Sequence, residues 1–72
     1  MTVRDIAYTV KDDFAFGITH VYDKFPWKGT FIVEVDFKDK AVEIYDFATE
    51  EAAWEKLYDL YYDFIREPYP ND

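Results

Sequence analysis

Residues 30–47 read TFIVEVDFKDKAVEIYDF. Two runs rich in Val, Ile and Phe flank Lys38-Asp39-Lys40. β-Branched and aromatic runs on either side of a short polar break predict an antiparallel hairpin, with strands over about residues 30–37 and 41–47. If the turn centres on Asp39 and Lys40, Phe37 faces Val42 and Val35 faces Ile44, giving one apolar face. The other face then pairs Asp36 with Glu43 and Glu34 with Tyr45. Opposed like charges weaken a sheet, so Glu34, Asp36 and Glu43 are expected as an acid cluster on the outer face.

The segment that follows reads as one amphipathic helix over about 49–66. Thr49 is a good N-cap, and Glu50 and Glu51 fall in the first turn, where the helix dipole favours acids. Pro68 stops it. Ala53, Trp54, Leu57, Tyr58, Leu60, Tyr61, Phe64 and Ile65 cover nearly half of the helical wheel, and Tyr62 widens the arc further. Covering one sheet face needs a stripe of about 100°. The surplus, with Leu60, Tyr62 and Phe64 on its flanks, points to a second contact such as a homodimer partner.

Toward the N-terminus, Ile6, Tyr8 and Val10 alternate with Ala7 and Thr9, the period of a half-buried strand over about 3–10. Lys11-Asp12-Asp13 suits a turn. Residues 14–22 fit two periods. Phe14, Phe16, Ile18, His20 and Tyr22 alternate as in a strand, whereas Phe14, Ile18, Val21, Tyr22 and Phe25 recur as in a helix. The β-branched and aromatic content favours strand. Asp23 to Gly29 is a connection, because Pro26 and Gly29 break either element.

The expected architecture is α+β: a four-stranded antiparallel meander covered on one face by a C-terminal helix. Trp54, Leu57, Tyr61 and Ile65 should meet Val35, Phe37, Val42 and Ile44. The alternative order is βαββα, with residues 13–25 helical. The chain reads as a single compact domain, 1–72, whose tail at 68–72 is extended and mobile.

A 72-residue chain without cysteine has no disulfide to support a small core. Its aromatic content, seven Phe, seven Tyr and two Trp, supplies the burial instead. The start, Met1-Thr2-Val3-Arg4-Asp5, lacks the basic and apolar regions of a signal peptide. No apolar stretch approaches the roughly 20 residues that span a bilayer, so a cytoplasmic protein is expected.

The net charge of −8 is concentrated toward the C-terminus. Residues 1–48 carry nine acids and six bases, residues 49–72 seven acids and two bases. Such a field repels nucleic acid and anionic membrane, and neither is an expected direct partner.

Catalytic equipment is sparse. There is no Ser or Cys, and Thr2, Thr9, Thr19, Thr30 and Thr49 sit in no nucleophile motif. His20 is the only histidine, and it reads as a strand residue with its nitrogens satisfied by a neighbour or water. Gly17 and Gly29 are isolated, so no phosphate-cradling loop exists. Glu51 and Glu55 lie one turn apart and could share a cation with Asp46 or Asp12, yet no Ca²⁺-loop spacing surrounds them. Neither a metal site nor a cofactor is expected. A carboxylate-based metal protein or enzyme using Glu51, Glu55 and His20 is the reading the composition argues against.

One pattern remains: Glu51, Glu55, Asp59, Asp63 and Glu67 recur at every fourth residue. Like charges at this spacing destabilise a helix by a few tenths of a kcal/mol per pair. The bland reading is a solvated face, eased by Lys56 and Arg66. The sharper one is a surface that docks on the basic, nucleic-acid-binding region of another protein, with Tyr58, Tyr62 and Tyr69 as anchors. Acids about 6 Å apart are sparser than duplex DNA, with one charge per about 1.7 Å. Glu34, Asp36 and Glu43 would have to thicken the row for it to mimic DNA. In composition the chain is similar to the short, acidic, aromatic-rich inhibitors of host nucleic-acid enzymes made by phages and mobile elements. The expected function is thus a non-catalytic acidic protein-binding module of inhibitor type, and the alternative is a small homo-oligomeric accessory subunit that binds through its apolar helix face.

Overall fold

A computed structural model of the chain describes residues 3–22 and 30–70. Four strands, β1 (Val3–Lys11), β2 (Phe14–Val21), β3 (Thr30–Phe37) and β4 (Lys40–Phe47), precede one helix, α1 (Glu50–Ile65). The strands pair in sequence order as an antiparallel sheet, and α1 lies across β2, β3 and β4. The expected α+β meander is thus the fold, and residues 14–21 are strand rather than helix. The connection at Asp23–Gly29 lies outside the described residues.

Two tight turns organise the sheet at one end. Asp12 and Asp13 link β1 to β2 with φ of 52° and 70°, and Lys38 and Asp39 link β3 to β4 with φ of 48° and 67°. Two successive left-handed residues are what a two-residue hairpin turn requires, and aspartate tolerates that region better than most residues. The turns also touch: Lys38 N–H donates to the Asp13 carbonyl at 3.2 Å, and its ammonium lies 3.9 Å from the Asp13 carboxylate.

Helix α1 is bounded as its sequence dictates. Thr49 is extended and its hydroxyl accepts from the Ala52 N–H at 3.2 Å, satisfying one of the donors a helix start leaves free. At the other end Arg66 adopts the left-handed conformation and returns its N–H to the Tyr62 carbonyl at 2.7 Å. The helix ends there, two residues before Pro68.

The core forms where α1 crosses the two central strands. Phe16, Ile18, Val33 and Val35 from the sheet meet Ala53, Leu57, Leu60 and Tyr61 from the helix, all buried. Phe16 pairs with Val35 and Ile18 with Val33, so the four sheet residues make one contiguous apolar square. Rings extend it toward the turns: Phe14 packs on Phe37 and Phe64 at 4.9 and 5.1 Å, and Phe16 on Tyr61 at 4.9 Å.

The hairpin register differs from the one expected. The turn centres on Lys38-Asp39, one residue earlier than expected, a change that alone leaves the facing of β4 intact. A bulge reverses it. Phe37 pairs with Lys40 and Asp36 with Ala41, but Val35 then pairs with Glu43, leaving Val42 as the extra residue. Beyond the bulge every β4 side chain changes face. Tyr45 and Phe47 therefore pack against the core, while Ile44 is 56% exposed. Ile44 therefore faces away from α1, Val42 lines an open cavity with Phe37 and Phe64 rather than joining the core, and Glu43 shares a face with Val35 instead of lying outside with Glu34 and Asp36.

Strand β1 departs from expectation in the same way. Ala7 pairs with Ile18 and Thr9 with Phe16, so these smaller residues face the helix side. Tyr8 and Val10 point outward, 70% and 59% exposed. Ile6 is the extra residue of a second bulge, and it packs against the core. The room above Ala7 and Thr9 is used by the C-terminal segment. Tyr69, from the stretch read as a mobile tail, is half-buried, its hydroxyl 2.7 Å from Thr9 Oγ1 and its ring against Trp54, Tyr58 and Tyr61.

A chain of this length has a total stability of about 4–11 kcal/mol. Leu57→Ala removes a fully buried side chain and is expected to cost about 2–5 kcal/mol. Ile44→Ala, which the expected register would have made equally costly, should change stability by less than about 1 kcal/mol. Urea unfolding of both variants compares the two; equal losses would contradict the bulged register.

Candidate functional site

Helix α1 presents Glu51, Glu55, Asp59 and Asp63 as an exposed row. The spacing that places Ala53, Leu57, Leu60 and Tyr61 in the core forces these four to the solvent side, since positions four apart stack on one face. Glu67 leaves the row. It lies beyond the left-handed Arg66 and reaches Lys11 of β1 at 3.8 Å. An exposed pair of this kind adds little stability, but it turns that carboxylate toward the sheet.

The row is bordered by rings. Tyr58, Tyr62, Pro68 and Tyr69 line an open cleft of about 290 Å³. Tyr58 packs on Tyr69 at 5.5 Å and on Trp54 at 5.8 Å, and the Trp54 indole donates to Glu50 at 3.0 Å. The three tyrosines singled out as anchors thus converge beside the acids of α1. Pro68, the fourth wall, was read only as a helix stop. The apolar arc that suggested a homodimer is largely spent inside the molecule: Leu60 is buried, and Phe64 packs on Phe14 and Phe16. Tyr58 and Tyr62 alone on α1 remain large, apolar and exposed.

The strand acids do not join this row. Glu34 and Asp36 lie on the sheet face opposite α1, since Val33 and Val35 between them face the core. Glu43 lies on the helix side of β4, where it accepts a hydrogen bond from the Tyr45 hydroxyl, an interaction that raises the tyrosine pKa. Lys56 sits over the Tyr45 ring at 4.3 Å from its centroid. The acids expected to form one cluster are therefore divided between two faces of the sheet.

His20 is held by rings, stacked on Phe31 at 4.1 Å and tilted against Tyr22 at 4.3 Å. Its Nδ1 is buried and, of the two kinds of partner expected for it, a neighbour or water, no described neighbour serves. It lies on the helix-facing side of β2, whereas the Glu51 and Glu55 side chains are exposed on α1. Among the described residues no three His, Asp or Glu side chains converge as a metal-binding group would, and no helix is long and apolar enough to cross a membrane.

The carboxyl of Glu34 is pushed up to about 7 by its hydrogen bond to Asp36, then by burial, then by the Asp36 charge. A carboxyl raised in the folded state binds a proton that the unfolded chain releases near 4.5. Its contribution is present below that pH and is lost as pH rises through about 7. Glu34→Gln should therefore raise the unfolding midpoint more at pH 8 than at pH 5, as read by thermal unfolding. An equal shift at both would contradict the raised pKa of Glu34.

Compared with known proteins, the chain matches no family model, no curated protein and no solved structure.

Proposed function

We propose that the protein is a non-catalytic binding module that docks the exposed face of α1 on a basic surface of another protein, most simply one that also binds nucleic acid. The observation that carries this reading is the adjacency of Glu51, Glu55, Asp59 and Asp63 to the cleft formed by Tyr58, Tyr62, Pro68 and Tyr69. Charge alone steers and orients, whereas desolvated rings hold. Here the two lie side by side, on α1 and the segment that follows it, and every acid of the row is free of ion pairs with the described residues.

The row from Glu51 to Asp63 spans about 18 Å at the rise of an α-helix. That is enough to follow a basic groove for several contacts. With Glu34 and Asp36 on the opposite side, the row keeps its sparse spacing, so the reading is an acidic helix on a basic surface rather than a full copy of a duplex. An inhibitor of a nucleic-acid-binding protein fits this arrangement, because the acids would occupy the ground that phosphates need.

The test is capture of partners from cells of the native host by the wild-type chain and by Asp59→Lys with Asp63→Lys. A partner with a basic nucleic-acid site should be held at 50 mM salt and released by 500 mM, since exposed charges are screened over distances of about 3–10 Å at high to moderate salt. The double variant should lose it by tenfold or more, and DNA or RNA should compete. Binding that survives both the salt and the charge reversal would overturn the reading.

A further inference from the structure

We propose that the sheet face opposite α1, from Tyr8 and Val10 on β1 to Ile44 on β4, is a second docking surface, for a protein patch that presents an arginine or lysine ringed by apolar side chains. It is independent of the acid row on α1, which lies on the other side of the sheet.

An antiparallel sheet with one solvated face ordinarily turns polar residues outward. Here Tyr8, Val10 and Ile44 project from the two edge strands into solvent, each more than half exposed. Between them the sheet is low. Tyr8 pairs with Gly17, Gly17 with Glu34, and Glu34 with Ile44, so one row crosses the sheet with a glycine next to its centre. A Cβ on Gly17 would lie 3.6 Å from the Tyr8 ring and 3.2 Å from the Ala7 carbonyl. The neighbouring row adds Ala15 and Ala41 on either side of Asp36. The face thus carries an aromatic ring over Gly17 toward one edge, an aliphatic side chain at the other and two carboxylates between them.

The carboxylates decide the occupant. Covering them with a purely apolar surface would strip their water without replacement, which is costly. A second copy of this chain would set two Glu34–Asp36 pairs against each other. The titratable groups around Glu34 are Asp36 on the same strand, Tyr8 on β1, and Asp5 and Asp46 farther along the outer strands. Among the described residues no Lys or Arg makes an ion pair with Glu34 or Asp36. The hydrogen bond from Asp36 instead favours the protonated form of Glu34. A guanidinium would displace that proton, pair with two carboxylates, and lie against the Tyr8 ring. The face of four strands about 4.8 Å apart and eight residues long covers roughly 500 Å². That is below the approximately 800 Å² per partner of a stable complex, so the contact is a reversible one.

A defined probe tests this on the full chain: the blocked peptide Leu-Phe-Arg-Phe-Leu, titrated into ¹⁵N-labelled protein. Saturable shifts are expected at Gly17, Glu34, Asp36 and Ile44, with affinity at least fivefold weaker at pH 5.5, where Glu34 holds its proton, than at pH 8. Citrulline in place of arginine should abolish the shifts, as should Glu34→Gln with Asp36→Asn, whose retained fold is read from circular dichroism. Shifts confined to α1, or unchanged by citrulline, would overturn the proposal. Concentration-dependent shifts on this face without peptide would equally overturn it, by making a second copy the occupant.

Discussion

The fold depends on seating four side chains of α1, Ala53, Leu57, Leu60 and Tyr61, on the square made by Phe16, Ile18, Val33 and Val35. No cysteine is present to cross-link the chain, and a domain this small buries a modest share of its surface. The central strands can hold large residues because α1 passes directly over them. The edge strands fill what is left: Ala7 and Thr9 on one side leave a gap that Tyr69 closes, and Tyr45 and Phe47 on the other carry the core outward. Every surface feature follows from which residues this seating consumes.

Element type and order were legible in the chain because each had a local cause. Thr49 and the two glutamates after it mark a helix start, and short acidic or mixed-charge turns separate alternating apolar runs. The facing of the edge strands was not legible, because it rests on two bulges. Nothing in KAVEIYDF distinguishes Val42 from an ordinary paired residue, yet leaving it unpaired turns Ile44 out and Tyr45 in. For β1, alternation correctly identified a strand but not which side is buried, since Ala7 and Thr9 look like the exposed set when size alone is judged. What decides the matter is tertiary: the helix side of β1 needs small residues to admit Tyr69.

The candidate site divides along the same line. The acid row was visible as a spacing of four, and the helix keeps Glu51, Glu55, Asp59 and Asp63 together because period and structure agree. Glu67 obeyed the spacing but not the helix, which Arg66 ends first. Tyr69 was named as an anchor from its ring alone, and its companion Pro68 only emerges once the chain folds back. The outward position of Tyr8, Val10 and Ile44 was hidden, because the alternation that revealed the strands placed them inside.

The two bulges carry a consequence for how copies of the molecule behave in a crowd. Both lie in the outermost strands, at Ile6 in β1 and at Val42 in β4. An outer strand with regular unpaired amides is a template on which another chain can add a strand, and regular repetition of that step grows a fibril. A bulge interrupts the spacing of donors and acceptors and coils the strand locally. Each border of this sheet therefore offers only short runs in phase with an incoming strand. An aromatic-rich sheet of four strands thus resists open-ended growth through the same irregularities that set its faces.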